Sequence, residues 1–576
     1  MRNTRTALVY SLPLLSIVLS LIVYSNSFSC GWYFDDFRCI VNYDYTNASF
    51  TSLYAFYPLR FVGFCTFWAN HTLCGYNIWG WHLVNLLIHC VNIVLVFFLS
   101  LQLFKASSKR ISNPCINDYE LITALVISAL FAVHPIQTQA VTYIVQRMEL
   151  LGTSFVLLTV LGLINAGVSR TFSNRITWGI IAVVSFVLGF FTKEFIVVAP
   201  LIAGLYYVLF VIRSRKHQIA AVGITALCGV IAAAGILYWC HALRFNPLTL
   251  SFGPFARLWD DALPPDQYYP TQVRVLLMYI RLCLVPFGQH VEYYIAPSSS
   301  FLDIRVLFAA AVQLLLIAAG ILTLKRRPVI LFGIAWFYLF LAPSSTLLPN
   351  GMYEHRLYGP MLGLLFALCI PLSLEIVEQP ARIRNTLGRI ALSLTAFLIV
   401  CFCFLTCCRN QVWHSGMSLW GDAVGKSPQS WRANVNFGKQ LMDNERYEEA
   451  LPYLEKSFVL NSNIVEVAYN LGVCKFNTGD QQGAINLFKY ALSLNPRLPE
   501  MKNMLNDTIV LIYTVNADDS LKRKQYPRAL QLYTRVLEYE QSNTNALQGQ
   551  ALCIQAIGDT NTINNGSVNQ PEQLDQ

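Results

Sequence analysis

Apolar runs long enough to cross a membrane recur along the chain as far as residue 408. A helix needs about twenty predominantly apolar residues to span the hydrocarbon core of a bilayer. The runs lie at 7–25, 82–104, 119–134, 150–168, 176–192, 195–213, 219–241, 306–324, 329–345, 358–377 and 388–408. The pattern predicts an all-α fold, in which residues 1–409 form a polytopic membrane domain with about eleven spans.

Clusters of lysine and arginine flank alternate runs. They comprise Arg2 and Arg5; Lys105, Lys109 and Arg110; Arg170 and Arg175; Arg213, Arg215 and Lys216; Lys325, Arg326 and Arg327; and Arg382, Arg384 and Arg389. Because basic residues concentrate on the cytoplasmic side of membranes, we predict a cytoplasmic amino terminus and a large external loop at 26–81. The alternation holds only if residues 271–287 do not cross, and we predict an interfacial or re-entrant helix there.

The composition agrees with a membrane protein. The 576 residues are 55% hydrophobic and 13% charged, with a mean hydropathy of +0.46, whereas soluble domains carry about twice that charged fraction. The net charge of +9 is spread over small clusters between the apolar runs, which argues against a nucleic-acid partner. The predicted surroundings are therefore membrane lipids.

The composition changes after Arg409 to that of a soluble helical domain. Small and aromatic residues recur 34 positions apart: Gly438, Ala450, Leu454 and Ser457 are followed by Gly472, Ala484, Phe488 and Ala491. This spacing is typical of tetratricopeptide repeats. We predict a repeat domain at 410–559, with a third unit around Ala529, Tyr533 and Val536, and a disordered tail at 560–576.

Two adjacent acids follow the first span in the stretch YFDDFR. Asp35 and Asp36 lie among aromatic residues typical of the membrane interface. A carboxylate at the mouth of a membrane cavity can serve as a general base or hold a divalent cation. Either aspartate alone fits an exposed loop residue, but the pair predicts a catalytic site. Whether a divalent metal ion binds there is left open, and no other cofactor is indicated.

Further polar residues fall on the same predicted external side. Gln139, Tyr143 and Arg147 recur every fourth residue, which predicts one polar helix face. Arg274 and Arg281 are two helical turns apart and suit a phosphate or, equally, a lipid headgroup. The candidates for binding a donor phosphate are His134, Arg147, Lys193, Glu194, Arg274, Arg281, Glu354, His355 and Arg356.

Each of these candidates also has a structural interpretation. His134 alone is typical of a core histidine. The adjacent Lys193 and Glu194 fit an interfacial anchor as well as a site. Glu354 and Arg356 would equally form a structural ion pair.

The ordered set of motifs resembles a known family. YFDDFR, GWHLVNLLIH, HPIQTQAVTYIVQRMELL, FTKE, RVLLMYIRLCLVPFG and EHRLYGP precede the carboxy-terminal repeats. This order resembles polytopic GT-C-type glycosyltransferases with tetratricopeptide repeats, whose animal branch is the transmembrane and tetratricopeptide-repeat-containing protein O-mannosyltransferases. The motifs EHRLYGP and QRMELL resemble those of bacterial members more than those of animal members.

The resemblance implies a membrane glycosyltransferase that passes a sugar from a polyprenyl-phosphate carrier to a hydroxyl of a protein or glycan. It implies a catalytic acid in the first external loop, here Asp35 or Asp36, and repeats that engage the acceptor or a partner protein. One position departs from the family, which has Glu where this chain has Gln139. If the reaction requires an ionisable group at this position, the activity of this chain is in doubt. If the side chain there only accepts hydrogen bonds, Gln can replace Glu.

Two other functions compete with this interpretation. A non-catalytic membrane scaffold would use the spans only to anchor the repeats. A transporter would carry ionisable residues near span midpoints, where this sequence is mostly apolar, so it ranks last. We predict a bacterial inner membrane with periplasmic repeats, and the alternative is the endoplasmic reticulum membrane with lumenal repeats.

Overall fold

A computed structural model describes residues 2–109, 111, 113–212, 263–346, 351–494 and 499–566. All regular structure in these ranges is helical, as predicted. The chain divides into two compact units, residues 1–426 and 427–576.

The first unit contains the long apolar helices together with short helical turns between them. The helices are α1 (Arg2–Val23), α2 (Phe50–Phe56), α3 (Phe61–Cys74), α4 (Ile78–Ser108), α5 (Ile116–Val133), α6 (Thr138–Thr142), α7 (Arg147–Val168), α8 (Phe172–Phe190), α9 (Val198–Tyr206), α10 (Pro265–Leu284), α11 (Ile304–Leu322), α12 (Pro328–Thr346), α13 (Met361–Glu378), α14 (Ala381–Val412) and α15 (Gly416–Lys426).

Ten helical stretches among the described residues are long and apolar enough to span a membrane. They coincide with ten of the eleven predicted runs, and the remaining one, 219–241, lies outside the described residues. The chain is thus a polytopic membrane protein. Helix α10 is not one of these stretches and packs on α11, which agrees with the prediction that 271–287 do not cross.

Helices α4, α5 and α7 form the centre of the membrane unit. Helix α4 packs on both α5 and α7, and α1, α8 and α13 pack around these three helices. In contrast, α14 buries only Thr406, Arg409 and Asn410. A helix that is apolar on all sides but exposed outside the core is typical of a span that faces lipid.

The second unit consists of helix hairpins. Its helices are α16 (Trp431–Asp443), α17 (Tyr447–Leu460), α18 (Val465–Asn477), α19 (Gln481–Leu494), α20 (Pro499–Lys522), α21 (Tyr526–Tyr539) and α22 (Thr544–Gly566). Gly438 and Gly472 lie where these helices touch, because an added Cβ would come within 2.7 Å of Leu454 and of Phe488, respectively. The spacing of 34 residues read from the sequence thus corresponds to the helix contacts of two successive hairpins.

Both ends of this unit differ from the predicted boundaries. The first compact unit extends to Lys426 rather than to Arg409, because Arg409 forms a 2.8 Å ion pair with Asp422 of α15. At the other end, α22 continues to Gly566 through the start of the tail predicted to be disordered. The rest of that tail, and Pro496 between the second and third repeats, lie outside the described residues.

Candidate active site

Asp36 fastens the YFDDFR loop to the segment before α7. The side chain is fully buried; its Oδ2 accepts the N–H of Tyr33 at 3.1 Å, and its Oδ1 accepts the N–H of Val145 at 2.7 Å. Burial raises the pKa of Asp36 well above its usual value, while the two N–H donors oppose the rise. Because both carboxylate oxygens accept backbone N–H groups, the geometry gives Asp36 a structural role.

The same bond breaks the polar helix face predicted around Tyr143. In a continuous helix, the N–H of Val145 would bind the carbonyl of Val141, but Asp36 takes it instead. Helix α6 ends at Thr142, Tyr143 is extended, and α7 begins at Arg147. The prediction of one face was therefore wrong, and Gln139, Tyr143 and Arg147 contact different partners.

Asp35 is turned the other way, towards solvent. Its side chain is exposed, and its N–H donates to the Tyr143 hydroxyl at 2.9 Å. The preceding residue, Phe34, has a φ of +48°, a left-handed conformation that costs a bulky residue about 1–3 kcal/mol. This turn at Phe34 separates the directions of the two neighbouring carboxylates.

The surroundings of Asp35 are only partly aqueous. Desolvation raises its pKa above the usual value, and the charges of Arg38 and Lys193 act in the opposite direction. Because the group keeps access to solvent, it can receive a proton from a bound hydroxyl. Of the two predicted acids, Asp35 is the one whose side chain is exposed in the structure.

Lys193 lies beside Asp35 because the FTKEF turn packs closely on α7. Gly152 leaves no room for a side chain, since an added Cβ would lie 2.9 Å from Cβ of Lys193 and 2.7 Å from the ring of Phe195. One turn earlier on α7, Glu149 forms a 2.9 Å ion pair with Nζ of Lys193. A glycine on α7 thus allows an ammonium group to reach the acidic loop.

A second ion pair extends this cluster. Arg60, at the start of α3, binds Glu194 at 2.6 Å and donates to the carbonyl of Thr192 at 3.0 Å. Both partners are mostly buried, with 19% and 26% of their side chains exposed. The FTKEF turn is therefore held from two sides, by α7 and by the loop at 26–81. We call Asp35, Arg60, Glu149, Lys193 and Glu194 the acidic-loop cluster.

The EHR motif brings His355 and Arg356 to this cluster. The backbone N–H of His355 donates to Oε1 of Gln139 at 2.7 Å, and Nδ1 of His355 lies 3.2 Å from the same oxygen. Since an amide oxygen only accepts, Nδ1 carries the hydrogen and Nε2 is left as an acceptor. The charges of Lys193, Arg356 and Arg60 act on this ring.

Arg356 is half-buried and lies over the ring of Tyr353, with 5.1 Å between the guanidinium carbon and the ring centroid. It donates to the carbonyl of Gly351 at 3.3 Å and forms no ion pair with a carboxylate in the described ranges. Its charge acts on Glu194. Arg356 thus keeps a positive charge available beside the acidic-loop cluster.

Arg147 has a structural position instead. It is fully buried, and its guanidinium donates to Asn85, Asn70, the carbonyl of Thr66 and the carbonyl of Trp81 over 2.6–3.2 Å. The rings of Phe67 and Trp81 cover its faces at 5.0 and 5.3 Å. Arg147 anchors the loop at 26–81 to α7, and little of its charge remains for a ligand.

His134 and Glu354 also form hydrogen bonds with other residues of the chain. Nδ1 of His134 accepts the N–H of Ile136 at 3.1 Å, and Nε2 lies 3.1 Å from the carbonyl of Cys283. Oε1 of Glu354 accepts the N–H of His290 at 2.7 Å and the hydroxyl of Tyr293 at 2.6 Å. The structural interpretation fits both residues better than phosphate binding.

Arg274 and Arg281 hold the loop that follows α10. Arg274 donates to the carbonyl of Ala296 at 2.7 Å and to Oγ of Ser298 at 2.8 Å. Arg281 donates to the carbonyl of Phe287 at 2.9 Å. Neither forms an ion pair with the acidic-loop cluster within the ranges that the structure describes. The geometry gives both arginines a role in shaping the loop at 285–303.

No group of three or more His, Cys, Asp or Glu side chains is arranged to hold a metal ion in the described part of the chain. Asp36 directs both oxygens to backbone donors, so Asp35 would be the carboxylate able to contact a cation.

Three residues of the site were not predicted as site residues from the sequence: Arg38, Arg60 and Glu149. Arg38 ends the YFDDFR motif itself, and Glu149 follows Arg147 in QRMELL, so their motifs were a usable signal. Arg60 reaches Glu194 across 134 positions of the sequence, and nothing local to Arg60 indicates that contact.

Known proteins are similar to this chain over most of its length. No protein-family model matches the chain. Protein O-mannosyl-transferase TMTC3 of Mus musculus is 24% identical over 604 residues, covering 91% of this chain and 60% of the relative. The predicted family resemblance is confirmed. Protein O-mannosyl-transferase F38B6.6 of Caenorhabditis elegans is 24% identical over 458 residues, covering 76% of this chain.

A human protein shows the same degree of similarity. Protein O-mannosyl-transferase TMTC4 of Homo sapiens is 23% identical over 504 residues, covering 76% of this chain. The chain spans about 60% of the length of these curated relatives, from 60% to 64% of each. The similarity to the mouse protein covers nine-tenths of the chain and therefore extends over both units.

Proposed function

We propose that this protein is a membrane glycosyltransferase that transfers a sugar from a polyprenyl-phosphate donor to a hydroxyl of an acceptor protein. The observation that carries the proposal is the separation of two neighbouring acids: Asp36 is buried between backbone donors, and Asp35 faces solvent beside Lys193. The names of the relatives support a mannosyl group and a protein acceptor.

The reaction needs a base for the acceptor. A serine or threonine hydroxyl is a poor nucleophile, and a positioned carboxylate that accepts its proton contributes about 10²–10⁴-fold to the rate. Asp35 accepts that proton as the hydroxyl oxygen bonds to the anomeric carbon of the sugar. The bond between that carbon and the phosphate oxygen breaks, and the polyprenyl phosphate leaves with the electron pair.

The departing phosphate needs positive charge. Arg60 and Lys193 already pair with Glu194 and Glu149, whereas Arg356 has no carboxylate partner among the described residues. A guanidinium binds phosphate oxygens through paired N–H donors. Arg356 therefore stabilises the leaving phosphate, and Lys193 and the neutral ring of His355 complete the polar wall.

The repeats supply the acceptor in this proposal. Stacked helix hairpins form extended surfaces suited to polypeptide, and the parity of the predicted spans places them on the external side together with the loop at 26–81. That side is the periplasm if the membrane is bacterial and the lumen if it is that of the endoplasmic reticulum. Reporter fusions at Asn47 and Ser427 test this topology, since opposite signals would contradict it.

The function is tested by replacing Asp35 with asparagine in the full-length chain. Asn keeps the size of Asp but cannot take a proton from the acceptor. We expect transfer of radiolabelled mannose from polyprenyl phosphate to serine- and threonine-rich peptides to fall about 10²–10⁴-fold.

Asp44→Asn is the matched control. Asp44 lies in the same external loop, and its carboxylate accepts hydrogen bonds from its near neighbours Thr46 and Asn47, so we expect nearly parental transfer. A parental rate in stably expressed Asp35→Asn would remove Asp35 from the chemistry. Absence of transfer by the parent with every donor tried would favour the scaffold interpretation.

A further inference from the structure

The aromatic surroundings of Phe34 come from beyond the last membrane span. Its ring meets Trp420 of α15 at 5.2 Å and 75°, and Trp413 at 6.5 Å and 74°. Tyr143 completes the set at 5.5 Å and stacks on Trp413 at 5.7 Å. Edge-to-face rings at these distances attract one another. The left-handed backbone before Asp35 is thus packed against side chains that follow α14.

Trp413 also holds the loop through its backbone. Its carbonyl accepts the Tyr33 hydroxyl at 2.6 Å, and the two rings meet edge to face at 5.7 Å. Tyr33 and Trp413 are both buried. The two residues before Asp35 are therefore both fixed by this region, whereas Asp35 itself is tied by its N–H to Tyr143.

The other end of α15 holds a second part of the site. Nζ of Lys426 donates to the carbonyl of Gln289 at 2.8 Å and binds Asp422 at 2.6 Å. Asp422 in turn binds the mostly buried Arg409. The next N–H along the loop, that of His290, donates to Glu354. Lys426 is thus connected to the residue that immediately precedes His355.

We propose that the segment Trp413–Lys426, called the brace below, positions both halves of the site: its tryptophans aim Asp35, and its last lysine fixes the loop behind His355. Strain at a site persists only where surrounding structure holds it, and the brace provides that support for Phe34. Trp413, Trp420 and Lys426 are its positioning residues, since they contact the segments that carry Asp35 and His355. This inference rests on the proposed function for its kinetic consequence.

The brace gives the residues between the last span and the repeats a different role from the one that the sequence predicts. They read in the sequence as the start of a soluble domain, yet they pack against loops that precede them by hundreds of positions. The membrane unit therefore carries a complete site only with this segment in place.

The test uses the purified full-length protein and the variant Trp420→Ala. Hydrogen–deuterium exchange of the amides in 33–38 reports the loop without reference to activity. Because the change removes the edge-to-face ring pair of Phe34 and Trp420, we expect these amides to exchange up to about tenfold faster. With polyprenyl-phosphate mannose as the probe, we expect kcat to fall about tenfold or more and KM for the donor to stay within about twofold.

Two variants separate positioning from a general loss of structure. Trp420→Phe keeps an aromatic ring against Phe34 and is expected to restore most of kcat. Gly425→Ala adds a methyl group to the same segment at a position where an added Cβ meets nothing within 4 Å, and it is expected to leave exchange at 33–38 and kcat at parental values. Should Trp420→Ala fail to fold, Lys426→Met tests the other end, with faster exchange expected at 287–293 and 354–357.

The outcomes distinguish this inference from the proposed function. Parental exchange at 33–38 in folded Trp420→Ala would overturn the brace, whether or not the parent transfers sugar. Faster exchange with an unchanged kcat would also overturn it, since the loop would then be held without consequence for the reaction. An inactive parent with faster exchange in the variant would overturn the proposed function and leave the brace as a structural support.

Discussion

Replacing Asp36 with asparagine is expected to lower stability, whereas the same change at Asp35 is expected to lower turnover. Asp36 uses two oxygens to accept the N–H groups of Tyr33 and Val145 at 3.1 and 2.7 Å. Asparagine has one acceptor oxygen, so one buried backbone donor loses its partner. An unpaired buried donor costs about 1–3 kcal/mol.

The exposed Asp35 has no such bond from its carboxylate to a backbone donor in the described structure. We expect Asp35→Asn to change stability by about 0.5 kcal/mol or less. A loss of 10²–10⁴ in kcat corresponds to roughly 3–5 kcal/mol of transition-state stabilisation. The two neighbouring changes thus affect different quantities, each by more than ordinary measurement error.

The measurement combines thermal unfolding in detergent with single-turnover transfer at equal amounts of folded protein. Folded Asp36→Asn is expected to retain transfer within about tenfold of the parent, since the reacting carboxylate is unchanged. The reasoning is refuted if Asp36→Asn is as stable as the parent and as inactive as Asp35→Asn. That result would place the buried acid in the chemistry.

Three further predictions concern the surroundings of the acid. Gly152→Ala is expected to lower kcat about tenfold, since the new Cβ collides with the FTKEF turn, whereas Gly179→Ala, where an added Cβ meets nothing within 4 Å, is expected to retain the parental rate. Gln139→Glu is expected to keep transfer and Gln139→Leu to lose most of it in the same assay. Desolvation raises the pKa of Asp35 above its usual value of 3.8, and only the ionised carboxylate accepts a proton. We therefore expect the kcat of the parent protein to fall as the pH drops through a value above 3.8. A kcat that stays constant down to pH 3.8 would contradict this.

The spans and the repeats could be predicted because each leaves a local signal. A membrane helix carries its signal in about twenty consecutive residues, and a helix hairpin repeats its contacts at a fixed distance, as Gly438 and Gly472 show. Both features depend on neighbours within one or two helices. Span positions and the repeat register therefore followed from the sequence.

The division of work between neighbouring side chains could not be predicted. Asp35 and Asp36 share the same local sequence, and they differ only because Phe34 turns left-handed and Val145 arrives from another segment. Arg147 looked like a phosphate ligand because a lone charge near a span suggests function. Its acceptors come from helices α3 and α4, which no spacing around Arg147 reveals.

The glutamine at position 139 is compatible with activity in this geometry. Its Oε1 accepts two N–H groups of His355, one from the backbone and one from the ring. Neither bond requires Gln139 to carry a charge or to release a proton, so an amide oxygen performs the task of a carboxylate oxygen. An acid here would bind the ring more strongly and make it more basic, whereas the amide favours a neutral ring whose Nε2 accepts. In the proposed reaction, Gln139 would therefore adjust the polar wall around the phosphate, and the proton transfer would remain with Asp35.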